Sequence, residues 1–185
     1  MVSLEKLCLG SYCHSETMFH VIWSVQKSYI PATIISLLDE AVRRISISSY
    51  IMTISKSQYS ARIRDALRRA YAKGVDIAII LDAYSNHVKD HNCRTASMLS
   101  RDGIDIWLTS KKRNHMKVYV ADDKAFIGSA NLTSQEDNLE LGVLIVDSAV
   151  AETLHTIVMD TIERYGVSWK QLCTTPNPHP KEPGS

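Results

Sequence analysis

A histidine and a lysine lie two residues apart, at His115 and Lys117, in a stretch rich in strand-forming residues. Residues two apart on a strand point to the same face, so an imidazole and an ammonium would meet there. The chain continues through a polar turn and a second apolar run to the Gly-Ser-Ala-Asn segment at residues 128–131. This order predicts a β-hairpin whose returning strand ends beside the histidine and the lysine.

A carboxylate lies in the next apolar segment, at Glu140, within residues 139–146 that predict another strand. Burying an unpaired carboxylate is costly, so Glu140 needs a partner, and the ring of His115 is the obvious one. Lys117 and Asn131 offer an ammonium and an amide that suit the non-bridging oxygens of a phosphoryl group. The histidine could attack phosphorus while the carboxylate fixes its tautomer. These residue types therefore favour phosphate chemistry.

The spacing of these residues resembles the HKD signature of the phospholipase D superfamily. The residues that carry the resemblance are His115, Lys117, Asp122, Gly128, Ser129, Asn131, Asn138 and Glu140. Asp122 is one residue closer to the Gly-Ser pair than in the usual pattern. Over roughly residues 18–169 the chain is similar to the smallest members of that superfamily, the single-motif bacterial nucleases.

The resemblance implies that a phosphodiester is cleaved in two steps. One histidine attacks phosphorus to form a phosphohistidine, a second histidine protonates the leaving oxygen, and water then releases the enzyme. A single-motif chain holds one such histidine, so the resemblance implies a homodimer whose two-fold axis brings together both active-site sets. Each set consists of His115, Lys117, Asn131 and Glu140.

The resemblance also implies a role for each residue of the motif. Lys117 and Asn131 would stabilise the charge of the pentacovalent phosphorus, as a metal ion does in other enzymes, so no cofactor is implied. Ser129 could donate to the phosphate, although a turn residue is an equally good interpretation. Asp122, Gly128 and Asn138 are expected to maintain structure, and Asp122 at the hairpin end is not expected to transfer protons.

Composition limits the fold and the partners. A chain of 185 residues with 45% hydrophobic content fits one domain with its own core. Its formal net charge of +1 gives no general attraction to polyanions, so nucleic-acid binding would need a local basic patch. Lys111, Lys112 and Arg113 precede His115 directly and could form that patch, although such loops are often only solvated surface.

Strands and helices alternate along the chain. The expected elements are strands near residues 20–25, 45–53 and 77–82, helices near residues 31–43 and 60–76, and a helix after Val146. Gly74 suits the C-terminal cap of the second helix. The order predicts an α/β fold, a mixed β-sheet sandwiched between helices, as in phospholipase D-like proteins. We expect an N-terminal extension over residues 1–17, the catalytic domain over 18–169 and a Pro-rich disordered tail over 170–185.

The cysteines and the N-terminal residues bear on location. No segment reaches the roughly 18 apolar residues that span a bilayer, and the N-terminal residues lack the pattern of a secretory signal. A cytoplasmic location is therefore expected, with the cysteines of the protein as reduced thiols.

Six residues could suggest a metal site: Cys8, Cys13, His14, His87, His91 and Cys93. Their spacing matches no standard zinc finger, so no metal site is expected and a polar loop is favoured around His87.

The expected function is that of a metal-independent phosphodiesterase, an endonuclease with DNA as the favoured substrate. One alternative is a phospholipid phosphodiesterase or phosphatidyl transferase, since the same catalytic residues serve lipids. The other is an inactive DNA-binding module of a defence or restriction complex. The short chain and the basic loop argue against the first alternative, and the intact motif argues against the second. The sequence does not distinguish DNA from RNA, or single strands from duplexes.

Overall fold

A computed structural model describes residues 20–24, 29–54, 58–133 and 140–174. The strands within these ranges are β1 His20–Ser24, β2 Arg44–Ser49, β3 Asp76–Asp82, β4 Ile106–Thr109, β5 Lys117–Ala121, β6 Lys124–Gly128, β7 Gly142–Val146 and β8 Gly166–Ser168. The helices are α1 Tyr29–Glu40, α2 Gln58–Ala72, α3 Asn86–Ser100, α4 Ser148–Tyr165 and α5 Trp169–Cys173.

All eight strands form one sheet in the order β1-β7-β6-β5-β2-β3-β4-β8. The three strands β2, β3 and β4 are parallel neighbours, and helices α2 and α3 connect them. The other neighbouring pairs are antiparallel. Parallel strands are usually covered on both faces, and here helices pack on both. The predicted α/β fold with a mixed sheet between helices is confirmed.

Each face of the sheet has its own core. Ile45 and Ile47 on β2 belong to the larger core, which α1, α2 and α3 complete. Val118 and Val120 on β5 belong to the smaller core, which is closed by Ala151 and other residues of α4. Successive strand residues point to opposite faces, so this alternation lets one strand serve two helical layers.

Several predicted elements are confirmed with small changes at their ends. The strand β1, the hairpin β5–β6 and the helices α1, α2 and α4 lie where expected. Gly74 has a φ of 80° after α2, as the predicted cap requires. Helix α1 ends at Glu40 and not near residue 43, because the backbone N–H groups of residues 42–44 donate to the carboxylate of Asp122.

The polar loop expected around His87 is wrong, because these residues belong to helix α3. Its buried face includes two polar side chains, Asn92 and Thr95, which hide the apolar periodicity of the helix. Asn92 donates to the carbonyls of Tyr50 and Asp82, and Thr95 donates to the carbonyl of Met52. Tertiary hydrogen bonds therefore replace the apolar contacts that a helix pattern normally displays.

The expectation of reduced thiols is also wrong for two of the four cysteines. Cys93 on α3 and Cys173 on α5 form a disulfide across a sequence separation of 80. Helix α5 thus extends the folded body beyond residue 169, where the sequence predicts the domain to end. Cys8 and Cys13, the predicted N-terminal extension and residues 175–185 lie outside the described residues. Among the helices that the structure describes, none is long and apolar enough to cross a bilayer.

Candidate active site

His115 and Lys117 lie where strand β5 begins. Lys117 pairs with Ser49 at the carboxyl end of β2. His115 and Lys117 therefore lie along the side of the sheet that is formed by the carboxyl ends of the parallel strands, which we call its carboxyl edge. Lys117 is buried, with 7% of its surface exposed, whereas His115 is exposed. The Nζ of Lys117 lies 3.3 Å from Nδ1 of His115 and donates to the His115 carbonyl at 3.0 Å. The structure thus brings the ammonium and the imidazole together.

The environment of Lys117 weakens its hold on a proton. Burial lowers the pKa of Lys117, and the nearby carboxylate of Glu140 offsets part of that effect. An ammonium has three donors, of which two face His115, so one remains for a further acceptor. When Lys117 donates to Nδ1 of His115, the neutral ring carries its hydrogen on Nε2.

The ring of Tyr50 packs against both groups. Tyr50 directly follows β2, and its ring centre lies 4.8 Å from that of His115. The Nζ of Lys117 lies 5.6 Å from the Tyr50 ring centre, within cation–π range. Sequence reasoning missed Tyr50, although an aromatic residue immediately after a buried parallel strand is a signal that could have found it.

Glu140 and Ser129 form a second group beside the first. Glu140 lies just before β7 and not inside it, and its carboxylate accepts a hydrogen bond from the Ser129 hydroxyl. The Leu141 N–H donates to the Ser129 hydroxyl at 3.0 Å, and the Ser129 N–H donates to the Leu141 carbonyl at 2.9 Å. The sequence predicts His115 as the partner of Glu140. In the single chain Glu140 is bonded to Ser129 instead, because the pairing of β6 with β7 brings the ends of these strands together.

The strand ends can approach closely because two glycines face each other. Gly128 on β6 pairs with Gly142 on β7. A Cβ on Gly142 would lie 2.0 Å from the ring of Phe126, and one on Gly128 would lie 2.8 Å from the Leu141 carbonyl oxygen. The pair therefore leaves room for the buried Phe126 ring beneath the Ser129–Glu140 contact.

Asn131 follows this contact along the chain. Its Oδ1 is buried and has no hydrogen-bond partner among the described residues. The preceding carbonyl, of Ala130, accepts from the hydroxyl of Tyr119 at 3.2 Å. Tyr119 is fully buried, and that burial raises the pKa of its hydroxyl. The Tyr119 hydroxyl therefore fixes the backbone next to Asn131, whose carboxamide oxygen is unsatisfied.

A buried polar network beneath the site holds the residue before His115. The Asn114 N–H donates to Oδ1 of Asp82 at 2.7 Å, and its Nδ2 donates to the Ser48 hydroxyl at 3.0 Å. Asp82, Asn114 and Ser48 are all buried. Sequence reasoning missed this network because its members come from three separate segments. Its effect is to tie the chain entering β5 to the ends of β2 and β3.

Asp122 lies at the opposite end of β5 from this site. Its carboxylate accepts from the N–H groups of Val42, Arg43 and Arg44 at 2.8 to 3.0 Å. Although burial alone would raise it, these hydrogen bonds lower the pKa of Asp122. Asp122 therefore joins the hairpin to the turn between α1 and β2, and among the described residues it contacts no group at the site. Asn138 lies outside the described residues.

The predicted basic patch is exposed at the site. The side chains of Lys111, Lys112 and Arg113 face solvent. Lys112 Nζ lies 5.3 Å from the ring centre of Tyr165, and the Arg113 guanidinium lies 5.5 Å from that of Tyr84.

The histidines of α3 have other surroundings. His87 is exposed, whereas Nε2 of His91 lies 2.8 Å from the Thr53 hydroxyl, and burial lowers the pKa of His91. No group of three or more candidate metal ligands occurs in the part of the chain that the structure describes.

Comparison with known proteins identifies the family. Residues 34–161 match the model of the family described as "Cardiolipin synthase, PLD-like domain". The chain belongs to the phospholipase D superfamily. Superfamily members are phosphodiesterases and phospholipases, and this membership confirms the family that the motif resembles.

A cardiolipin synthase is among the relatives of this chain. Cardiolipin synthase A of Pseudomonas putida (strain W619) is 29% identical over 135 residues, 70% of this chain. The chain spans only 27% of that relative.

Solved structures share the fold. Nuc from Salmonella typhimurium, a phospholipase D family member, matches with a TM-score of 0.64 and 24% identity over 82% of this chain and 97% of its own. NucT from Helicobacter pylori matches with a TM-score of 0.63 and 22% identity, over 82% of this chain and 99% of its own. Phosphatidylserine synthase of Haemophilus influenzae Rd KW20 matches with a TM-score of 0.65 and 16% identity, over 86% of this chain and 40% of its own.

Proposed function

We propose that the protein is a metal-independent phosphodiesterase that cleaves nucleic acid, an endonuclease with DNA as its favoured substrate. The observation that carries the proposal is the contact between an exposed imidazole and a buried ammonium at one sheet edge, 3.3 Å apart. An exposed histidine can reach a phosphorus atom, and a buried ammonium can hold the charge of the phosphoryl oxygens. The exposed basic patch beside His115 supplies contacts for a polyanion.

In the proposed reaction, a ring nitrogen of His115 attacks phosphorus and the P–O bond to the leaving oxygen breaks. The partner subunit's His115 gives its proton to that oxygen. A water molecule then attacks the phosphohistidine, loses a proton to the partner subunit's His115, and the P–N bond breaks. Both histidines thereby return to their starting states.

Other residues at the site would hold the phosphoryl group. Lys117 and the carboxamide of Asn131 donate to its non-bridging oxygens, and the Ser129 hydroxyl adds a donor if it turns away from Glu140. Glu140 would then be free to orient an imidazole. In the single chain Glu140 is bonded to Ser129, and Nδ1 of His115 faces Lys117. The proposal therefore requires Glu140 to change its partner from Ser129 to an imidazole.

A homodimer is proposed because each chain carries one HKD motif and the reaction needs two histidines. The exposure of His115 supports a site that a second copy completes across a two-fold axis. The cytoplasmic location stays a prediction, and the disulfide argues against it, since such bonds persist in oxidising compartments.

A second candidate function is phospholipid cleavage or phosphatidyl transfer. It is favoured by the family description and by the match to a cardiolipin synthase, although this chain spans a small part of that relative. An inactive DNA-binding module is a third possibility. The buried ammonium of Lys117, which keeps one donor for a further acceptor, argues against inactivity, because a folded protein rarely buries such a group unused.

One experiment separates these functions. Purified protein is incubated in excess EDTA with plasmid DNA, single-stranded DNA, RNA and phospholipid vesicles, and products are measured by gel and chromatography. We expect cleavage of nucleic acid without metal, because Lys117 and Asn131 supply the charge stabilisation. The His115→Ala variant should be inactive. The His87→Ala variant is a matched control, because His87 also precedes a lysine by two residues.

Three results would contradict the proposal. Loss of cleavage in chelator with recovery in magnesium would exclude metal-independent chemistry. Turnover of vesicle lipids alone would favour the lipid function. Binding of DNA without cleavage of any substrate would favour the inactive module.

A further inference from the structure

Three tyrosines follow one edge of the sheet, starting from the candidate active site. Tyr50 comes directly after β2, and Tyr84 comes two residues after β3. Tyr165 directly precedes β8, whose Gly166 pairs with Thr109 at the end of β4. Because β2, β3 and β4 are parallel neighbours and β8 is antiparallel to β4, all three rings lie at the carboxyl edge. Neighbouring strands are about 4.8 Å apart, so the row spans about 14 Å.

Each of these rings faces a cation, and the cations come from a single segment. Lys112 pairs with Tyr165, Arg113 with Tyr84 and Lys117 with Tyr50, at 5.3, 5.5 and 5.6 Å. The segment leaves β4 and enters β5 beside β2, so it runs back along the same edge. The cations therefore occur in the same spatial order as the rings. We call these three pairs the tyrosine–cation track.

The outer part of the track is open to solvent. Tyr84 is 53% exposed and Tyr165 is 36% exposed, and the cations above them are exposed as well. At its inner end, Tyr50 packs against His115, which connects the track to the reactive group. A bound chain that follows the track would thus lead into the candidate active site.

We propose that the tyrosine–cation track binds single-stranded nucleic acid on one side of the phosphodiester that is cleaved, which rests on the function proposed above. Exposed aromatic rings bind unpaired bases by stacking, and neighbouring cations bind the backbone phosphates. In a duplex the base faces are stacked on one another and cannot reach the rings. Single strands are therefore preferred over duplexes, with little dependence on sequence.

Binding is measured in the His115→Ala background, which cannot cleave its ligand. Fluorescence anisotropy gives the Kd for a labelled mixed-sequence single strand and for its duplex, and sedimentation gives binding to anionic phospholipid vesicles. The variants are Tyr84→Leu and Tyr165→Leu, which keep an apolar side chain but remove the ring. Tyr71→Leu is the control, because Tyr71 is 49% exposed and lies at the end of α2, near the opposite edge of the sheet.

Each track variant should weaken single-strand binding by about fivefold or more, the cost of losing one stacked base. The Kd for the duplex should stay at the value of the His115→Ala protein. The Tyr71→Leu variant should keep both Kd values of that protein. An equal loss of affinity for single strand and duplex, or no loss of affinity for either, would contradict the proposed role of the track. Loss of vesicle binding alone would assign the tyrosines to a lipid surface, which also overturns it.

A small substrate separates this inference from the proposed function. Bis(p-nitrophenyl) phosphate is a phosphodiester too short to occupy the track, so its hydrolysis in EDTA reports the chemistry alone. If wild-type protein fails to hydrolyse it, the proposed phosphodiesterase fails. The single-strand and duplex Kd values would still decide whether the track exists.

Discussion

At the scale of single residues, Lys117 combines a charge with burial at the start of β5. Burial lowers its pKa, so the folded state binds a proton less tightly there than the unfolded chain does. Between the lowered pKa and the ordinary value of 10.5, the unfolded state binds more protons, and stability rises with pH. Below the lowered pKa the cost of the buried charge is fully present. The charge on Lys117 therefore lowers stability at neutral pH relative to a neutral side chain in its place.

We expect Lys117→Met to raise the free energy of unfolding at neutral pH and to lower phosphodiester cleavage by about 10²–10³-fold. The methionine keeps much of the side-chain volume without the charge. Urea unfolding at neutral and alkaline pH checks the first effect, and turnover of a small phosphodiester checks the second. The gain in stability should shrink at alkaline pH. A less stable variant at neutral pH would show that Glu140 more than compensates the burial.

At the scale of elements, the Asp122 carboxylate joins the β5–β6 hairpin to the turn between α1 and β2. Replacing Asp122 with Ala leaves three backbone N–H groups without their acceptor, so the free energy of unfolding should fall by about 1–3 kcal/mol. Because the folded pKa is lowered, this contribution is present above the unfolded value of 3.8 and is lost as pH falls through the folded pKa.

Denaturant titrations at neutral and acidic pH measure this contribution, and Asp123→Ala, at the exposed neighbouring residue, is the control. Turnover per folded molecule should remain near wild type in Asp122→Ala, because Asp122 is at the far end of β5 from His115. A loss of turnover without a loss of stability would instead assign Asp122 to the chemistry.

The disulfide between Cys93 and Cys173 joins helices α3 and α5. A disulfide typically stabilises a fold by about 2–4 kcal/mol, and a loop as long as this one lies at the upper end because it restricts the unfolded chain most. Reduction should therefore lower the free energy of unfolding by that amount. The variant in which both residues are serine should have the lower value with and without reductant. Alkylation of Cys93 in the native, unreduced protein would contradict the bond.

At the scale of the whole molecule, a shared active site makes one inactive chain affect its partner. When wild-type and His115→Ala chains are co-folded in equal amounts with random pairing, about one quarter of dimers carry two wild-type chains. Activity should then fall to about one quarter of that of an all-wild-type sample. Independent sites would leave about one half, because each wild-type chain would work with any partner. Differently tagged chains confirm that mixed dimers have formed.

The sequence by itself determined the hairpin, the helices α1, α2 and α4 and the proximity of His115 to Lys117. These features follow from local periodicity: residues two apart on a strand share a face, and a polar turn sets where the strand returns. The cap at Gly74 was equally predictable, because a positive φ favours glycine. The motif spacing also indicated the superfamily.

Only the tertiary structure decided which groups meet across separate segments. Helix α3 was hidden because Asn92 and Thr95 are buried polar residues whose partners lie some 10 to 43 residues away. Among the described residues Glu140 accepts from Ser129, because the antiparallel pairing of β6 with β7 brings the ends of these strands together. The disulfide and the row of tyrosines arise in the same way. Contacts distant in sequence depend on how strands are ordered in the sheet, and local pattern does not encode that order.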